Sequence, residues 1–308
     1  MRDHVVKRLT ELALQDPRIM LITGDLGFGV LNEYREKCAD QFINAGVAEQ
    51  NMTGLAAGLA MEGFVVFTYS IGNFPTLRCL EQIRNDACYH NANVNVLAVG
   101  GGFSYGSLGM SHHATEDLSI MRALPNMQVI APSDPWQATL AVDALVDHPG
   151  PGYLRIDKSQ AGLPQPKQDG FHVGHARTLR SGSDVTIIGV GGILAECMQA
   201  ADALGEAGHS VSVIEMATVK PIDKRAIVSA AKETSLVVTV EEHSIVGGLG
   251  GAVAEVMAEN GTGSRLVRIG LNDVYSSVVG SQEYLRNYYS MDAAAIVERV
   301  KQALSAGK

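Results

Sequence analysis

Short β-branched runs alternate with helix-length amphipathic stretches along the whole chain, an order that fits a mostly parallel sheet with helices packed on its faces. Segments 18–24 (RIMLITG), 64–70 (FVVFTYS), 95–101 (NVLAVGG) and 128–133 (QVIAPS) have the length and apolar character of buried strands. Segments 51–62, 75–90, 114–124 and 135–147 repeat apolar residues at helical spacing between and after them. The alternation resumes with 184–191, 211–216, 235–242 and 265–271. Between the two series lies 157–174 (DKSQAGLPQPKQDGFHVG), a polar stretch with two prolines where few long-range contacts are expected. A chain of 308 residues is of two-domain length. The fold class expected is therefore α/β, with one domain over 1–160, a linker over 161–180 and a smaller α/β domain over 181–308.

Charge narrows the partners. Lys and Arg number 24 against 33 Asp and Glu, a formal net charge of −9, which argues against a nucleic-acid partner held by its phosphates. No apolar run reaches the about 18 residues that would span a membrane. The start, MRDHVVKRLTELALQD, reads as an amphipathic helix rather than a signal peptide. Cys38, Cys79, Cys88 and Cys197 have no C-x-x-C spacing, and so sparse a set fits a reducing cytoplasm.

The segment most suggestive of chemistry is 43–63 (INAGVAEQNMTGLAAGLAMEG), where an apolar run delivers Glu49 into the start of a Gly- and Ala-rich helix. Gly54, Ala56, Ala57 and Gly58 would let that helix approach another backbone closely and leave Glu49 poorly hydrated, which disfavours its charged form. Such a carboxyl suits proton sharing with a ring nitrogen; it could equally complement the positive end of the helix. Phe74 could stack on a flat ring or belong to the core. Arg78 and Gln82, four apart, would share a helix face. His112 and His113 stand together in a polar loop with no Cys, Asp or Glu at ligand spacing, so no metal is expected there.

These segments carry a resemblance. GVAEQNM followed by GLAAGLAMEG is similar to the pyrimidine-binding half of the transketolase family of thiamine-diphosphate enzymes, and further segments agree in order: GDLG (24–27), YSIGNFPTLRCLEQIR (69–84), GMSHHATEDLSIMRALPNMQVIAPSD (109–134), VKPID (219–223) and VEEHSIVGGLGGAVAE (240–255). The resemblance implies a pyrimidine-binding domain and a transketolase C-terminal domain. It implies that Glu49 hydrogen-bonds the aminopyrimidine and activates the cofactor, and that Phe74, with Tyr69 as a lesser candidate, stacks on that ring. It implies that Asp25 lies near the ring, and that His112 touches the sugar donor and assists proton movement; Arg78 and Gln82 would line the same cofactor pocket or cap the subunit contact. His113 stands where the family has glutamine. Lys158 stands near a phosphate-binding arginine, where it can act as a point charge. Leu108 replaces an acidic residue that reads an acceptor hydroxyl, which should relax or alter sugar preference.

The family's GDG stretch and its asparagine, which hold the diphosphate through Mg²⁺, have no counterpart beyond GDLG. The Gly-rich segments 100–109 and 246–251 lack a dinucleotide or P-loop fingerprint. The resemblance thus implies the C-terminal subunit of a split transketolase, acting on sugars or sugar phosphates. An N-terminal partner subunit would supply the Mg²⁺ and diphosphate site, in an α₂β₂ assembly. The β-subunit of a 2-oxo-acid dehydrogenase decarboxylase component is the alternative enzyme, and a non-catalytic assembly subunit the alternative of another kind.

Overall fold

A computed structural model describes residues 1–166 and 170–306. The strands are β1 (Ile19–Thr23), β2 (Phe42–Asn44), β3 (Val65–Ile71), β4 (Val94–Val99), β5 (Gln128–Ile130), β6 (Gly152–Ile156), β7 (Arg177–Arg180), β8 (Val185–Gly189), β9 (Val211–Glu215), β10 (Thr218–Lys220), β11 (Leu236–Ser244) and β12 (Arg265–Leu271). They form a seven-stranded sheet in the order β10-β5-β6-β4-β3-β1-β2 and a five-stranded sheet in the order β12-β11-β8-β9-β7. Pairing is parallel except at β10 against β5 and β7 against β9. This is the α/β class that the alternation calls for.

Period-two alternation decides which residues of β3 face which layer. Phe67 and Tyr69 join Leu21, Leu97 and Leu154 under the Arg2–Ala13 and Pro135–Asp147 helices, whose Val5, Leu9, Ala138 and Ala141 fill that core. Val66 faces the other way, onto Met52, Ala56 and Ala57 of the Glu49–Met61 helix. The expected first-segment helix is present, with Val5, Val6, Leu9, Thr10 and Ala13 buried.

Three expectations change. Residues 75–90 are not one helix: a 3₁₀ turn (Leu77–Cys79), one α-turn (Leu80–Gln82) and a π-helical stretch (Ile83–Cys88) follow each other. Pro75 has no N–H to give to a regular first turn, and Thr76 Oγ1 instead donates to the Gly72 carbonyl at 2.8 Å. Gly54 and Gly58 do not meet another backbone, since a Cβ at either would touch nothing within 4 Å. They lie on the outward stripe of their helix, and Ala56 and Ala57 make the inward contact.

The third change is in the polar stretch 157–174, whose first part is pinned by long-range contacts. Asp157 is buried and accepts from the Gly192 N–H at 2.9 Å, Asp134 accepts from the Gly162 N–H at 2.7 Å, and Trp136 Nε1 donates to the Leu163 carbonyl at 3.0 Å. Residues 167–169 of that stretch lie outside the described residues. The two halves also share structure. β10, from the second half, extends the first sheet, and one apolar cluster joins Val96, Val129 and Tyr153 to Ile188, Ile214, Val237 and Val253.

Candidate functional site

β1 has β2 on one side and β3 on the other, so the crossover after β1 runs toward β2 and the one after β3 toward β4; the carboxyl ends of β1 and β3 are the switch point where such a sheet has its crevice. Each strand end there delivers a candidate side chain: β1 leads to Asp25, β2 to Glu49, β3 to Phe74 and Arg78, and β4 to the loop carrying His112.

Glu49 is the first residue of its helix and only 2% exposed. The end of β1 lies against it: a Cβ at Gly24 would make ordinary contact with Glu49 Cγ at 3.6 Å. Its side chain caps no helix N–H; instead Arg78 Nη1 donates to Glu49 Oε2 at 2.8 Å. The acid is buried, while the guanidinium paired with it remains 46% exposed. The same guanidinium lies 4.6 Å from the centre of the Phe74 ring, a cation–π distance. Phe74 meets the His112 ring edge-on at 5.2 Å, His112 lies 6.3 Å from the Tyr105 ring, and Lys158 Nζ sits 3.7 Å from the centre of that ring. Glu49, Arg78, Phe74, His112, Tyr105 and Lys158 therefore form one continuous line across the crevice.

Other expected residues are placed differently. Tyr69 is buried in the opposite face of the sheet, beneath Gly27, and burial pushes its phenol up to about 12. Gln82 does not share a face with Arg78, because the 3₁₀ turn directs Arg78 outward while Gln82 Oε1 is buried and unpartnered. His113 points inward: it is buried, with Nε2 3.0 Å from the Gly106 carbonyl and its ring edge-on to Phe103 at 5.1 Å. Asp25 adopts a left-handed φ of 58° and exchanges two hydrogen bonds with Asn44, each 3.0 Å, rather than binding backbone donors with its carboxylate.

The structure adds two site residues that the sequence reading did not single out. Tyr105 is visible in the sequence as an aromatic in the Gly-rich loop following β4. Asn73, whose amide donates to the His113 carbonyl at 2.8 Å and the Ser111 carbonyl at 3.3 Å, ties the His112 loop to the Phe74 segment, and only the fold brings those loops together. Among the described residues no group of three or more His, Cys, Asp or Glu is placed to hold a metal ion.

Residues 1–163 match the family described as "Transketolase, pyrimidine binding domain", and residues 174–296 match "Transketolase, C-terminal domain". The chain belongs to the transketolase family. A "Putative transketolase C-terminal section" of Methanocaldococcus jannaschii is 39% identical over 99% of this chain and 96% of its own length. An apulose-4-phosphate transketolase subunit of Phocaeicola vulgatus is 38% identical over 96% of this chain and 94% of its own. The solved structure "Split gene transketolase, inactive beta4 tetramer" superimposes with a TM-score of 0.88 at 37% identity, covering 99% of this chain and 97% of the other. These transketolase-family relatives are thus matched end to end. The family uses thiamine diphosphate.

In this transketolase-family chain, burial and then the neighbouring His113 hold the His112 pKa below its ordinary 6.5. Its imidazole is therefore neutral at pH 7, able to accept a proton, while Ser111 Oγ lies 3.0 Å from Nδ1. A histidine NMR titration of the isolated chain is expected to place the His112 midpoint below 6.5. Because the unfolded chain takes up this proton first, acidification from 6.5 down through the folded midpoint lowers stability. A midpoint at or above 6.5 contradicts the assignment.

Proposed function

We propose that this chain is the pyrimidine-binding subunit of a two-chain transketolase, transferring a two-carbon ketol unit from a ketose, free or phosphorylated, to an aldose. The observation that carries this reading is the buried Glu49 carboxylate beside the half-buried face of Phe74, at the crevice of a family member matched end to end by its relatives. The residues fit the aminopyrimidine of thiamine diphosphate in kind: an aromatic face and a buried acid. Thiamine diphosphate held there by Glu49 and Phe74 would supply carbanion chemistry toward carbonyls.

The roles of this chain's residues follow from their placement. Glu49 holds or accepts a proton at the ring nitrogen, helped by low hydration. Phe74 orients the ring. His112 accepts or returns a proton at a sugar hydroxyl, and Lys158, exposed at the end of the line, attracts a phosphate as a point charge. Leu108, 53% exposed on the turn before His112, offers an acceptor sugar no hydrogen bond, so hydroxyl configuration is weakly read at that point.

A partner chain supplies the Mg²⁺ and diphosphate half in this proposal. Its support is the incomplete GDLG segment, the subunit and split-gene names of the relatives, and the apolar side chains exposed around the crevice, Phe28 at 79% and Val47 at 74%. The test is a coupled assay with a panel of ketoses and aldoses, run on the purified chain, on the chain with the partner carrying the diphosphate half, and on the partner alone. Turnover is expected only in the mixture. Turnover by this chain alone overturns the split arrangement. Oxidation of a 2-oxo acid by an artificial electron acceptor, without ketol transfer, overturns the transferase reading.

A further inference from the structure

Among the contacts that the second domain makes with the segment leading to His112 is one buried carboxylate. Glu242, near the end of β11, is 3% exposed. Its Oε1 accepts from the Phe103 N–H at 2.5 Å and from Gln282 Nε2 at 2.8 Å, while Oε2 takes the Arg286 guanidinium. Gly102 has a left-handed φ of 56°, and a Cβ there would overlap Glu242, so the glycine admits the carboxylate against the first domain's backbone. Phe103 is fully buried between two rings, stacked on Tyr289 at 5.5 Å and meeting His113 edge-on at 5.1 Å. His113 in turn holds the Gly106 carbonyl, which also accepts from the Gly280 N–H at 3.3 Å. His112, the residue before it, faces Phe74.

We propose that Glu242 is a positioning residue for His112: it fixes Phe103, whose ring seats His113 and so sets the loop that presents the His112 imidazole to the crevice. This inference rests on the reading of His112 given under Proposed function. Only a carboxylate offers acceptors at both corners, so a glutamine of the same shape must leave either the backbone donor or the guanidinium facing an NH₂ group. The second domain then contributes to the site itself as well as to packing.

The experiment uses ¹³Cε1-histidine-labelled full-length chain, whose nine histidines give countable signals. Glu242→Gln is expected to shift the His112 and His113 resonances and leave exposed His90 in place. Phe103→Leu, which keeps the backbone donor but removes the ring contact, is expected to shift the same pair and serves if Glu242→Gln does not fold. In the assembled enzyme either variant is expected to lower kcat by about ten- to a hundredfold, with KM little changed. Unmoved His112 and His113 signals overturn the proposal, as does a shift spread equally to His90, which reports general loosening. A selective shift in a chain whose wild-type complex transfers no ketol unit supports the positioning and refutes the functional reading alone.

Discussion

Glu49→Gln is expected to lower turnover of the assembled enzyme by about 10²–10⁴-fold, the range for loss of one general acid–base group. The substitution isolates proton chemistry from packing. Glutamine has the same shape, fills the space beside Gly24, and its amide oxygen still accepts from Arg78, but it cannot take up or return a proton. Stability should change by no more than about 1 kcal/mol, because the partner guanidinium is half-exposed and regains water when the ion pair is lost. Urea denaturation of the isolated chain and steady-state kinetics of the complex measure the two effects separately. A full loss of activity with an unchanged unfolding midpoint assigns Glu49 to the chemistry. Activity at the wild-type level would make this chain an assembly subunit.

The parts of the fold legible in the sequence are those with enough residues to show a period. β3, β4, β8 and β11 are long apolar runs, and Glu49 is recognisable because its placement before a Gly- and Ala-rich helix is local in sequence. β2 and β10 have three residues each and β7 four, too few for periodicity to register, and β10 is recruited from the second half of the chain to the edge of the first sheet. Arg78 and Gln82 have helical spacing, but Arg78 stands in the 3₁₀ turn and Gln82 at the end of the α-turn that follows it, so they do not share one regular helix. His112 and His113 are adjacent in sequence and take opposite sides of the loop because Phe103 and the Gly106 carbonyl claim the second ring. The contacts on Glu242 span 139 positions to Phe103 and 44 to Arg286, and nothing local in VVTVEEH announces them.

Arg155→Met is expected to destabilise the chain by about 3–5 kcal/mol, because it strips the cation from a buried charge cluster. Arg155 is 3% exposed; Nη1 lies 3.3 Å from Asp117, Nε lies 3.2 Å from Asp157, and Nη2 donates to the Glu242 carbonyl at 2.8 Å. Burial opposes its charge, and Asp117 and Asp157 more than offset that, so its pKa is raised. Without it the two buried carboxylates lose their shared guanidinium, leaving Asp117 with the Tyr153 hydroxyl and Asp157 with the Gly192 N–H of the second domain. Removing one of those charges as well, in Arg155→Met with Asp117→Asn, should restore part of the loss, since the sites touch and their effects do not add. The double variant also separates two reasons for burying charge here. A double variant as stable as the wild type, but slower in ketol transfer, assigns the cluster to holding the domains in register, because apolar or neutral replacements can match a buried ion network in stability without matching its directionality. If stability and turnover instead recover together, the cluster's cost and benefit both lie in folding, and the orientation of the His112 loop depends on Glu242 and Phe103 without help from Arg155.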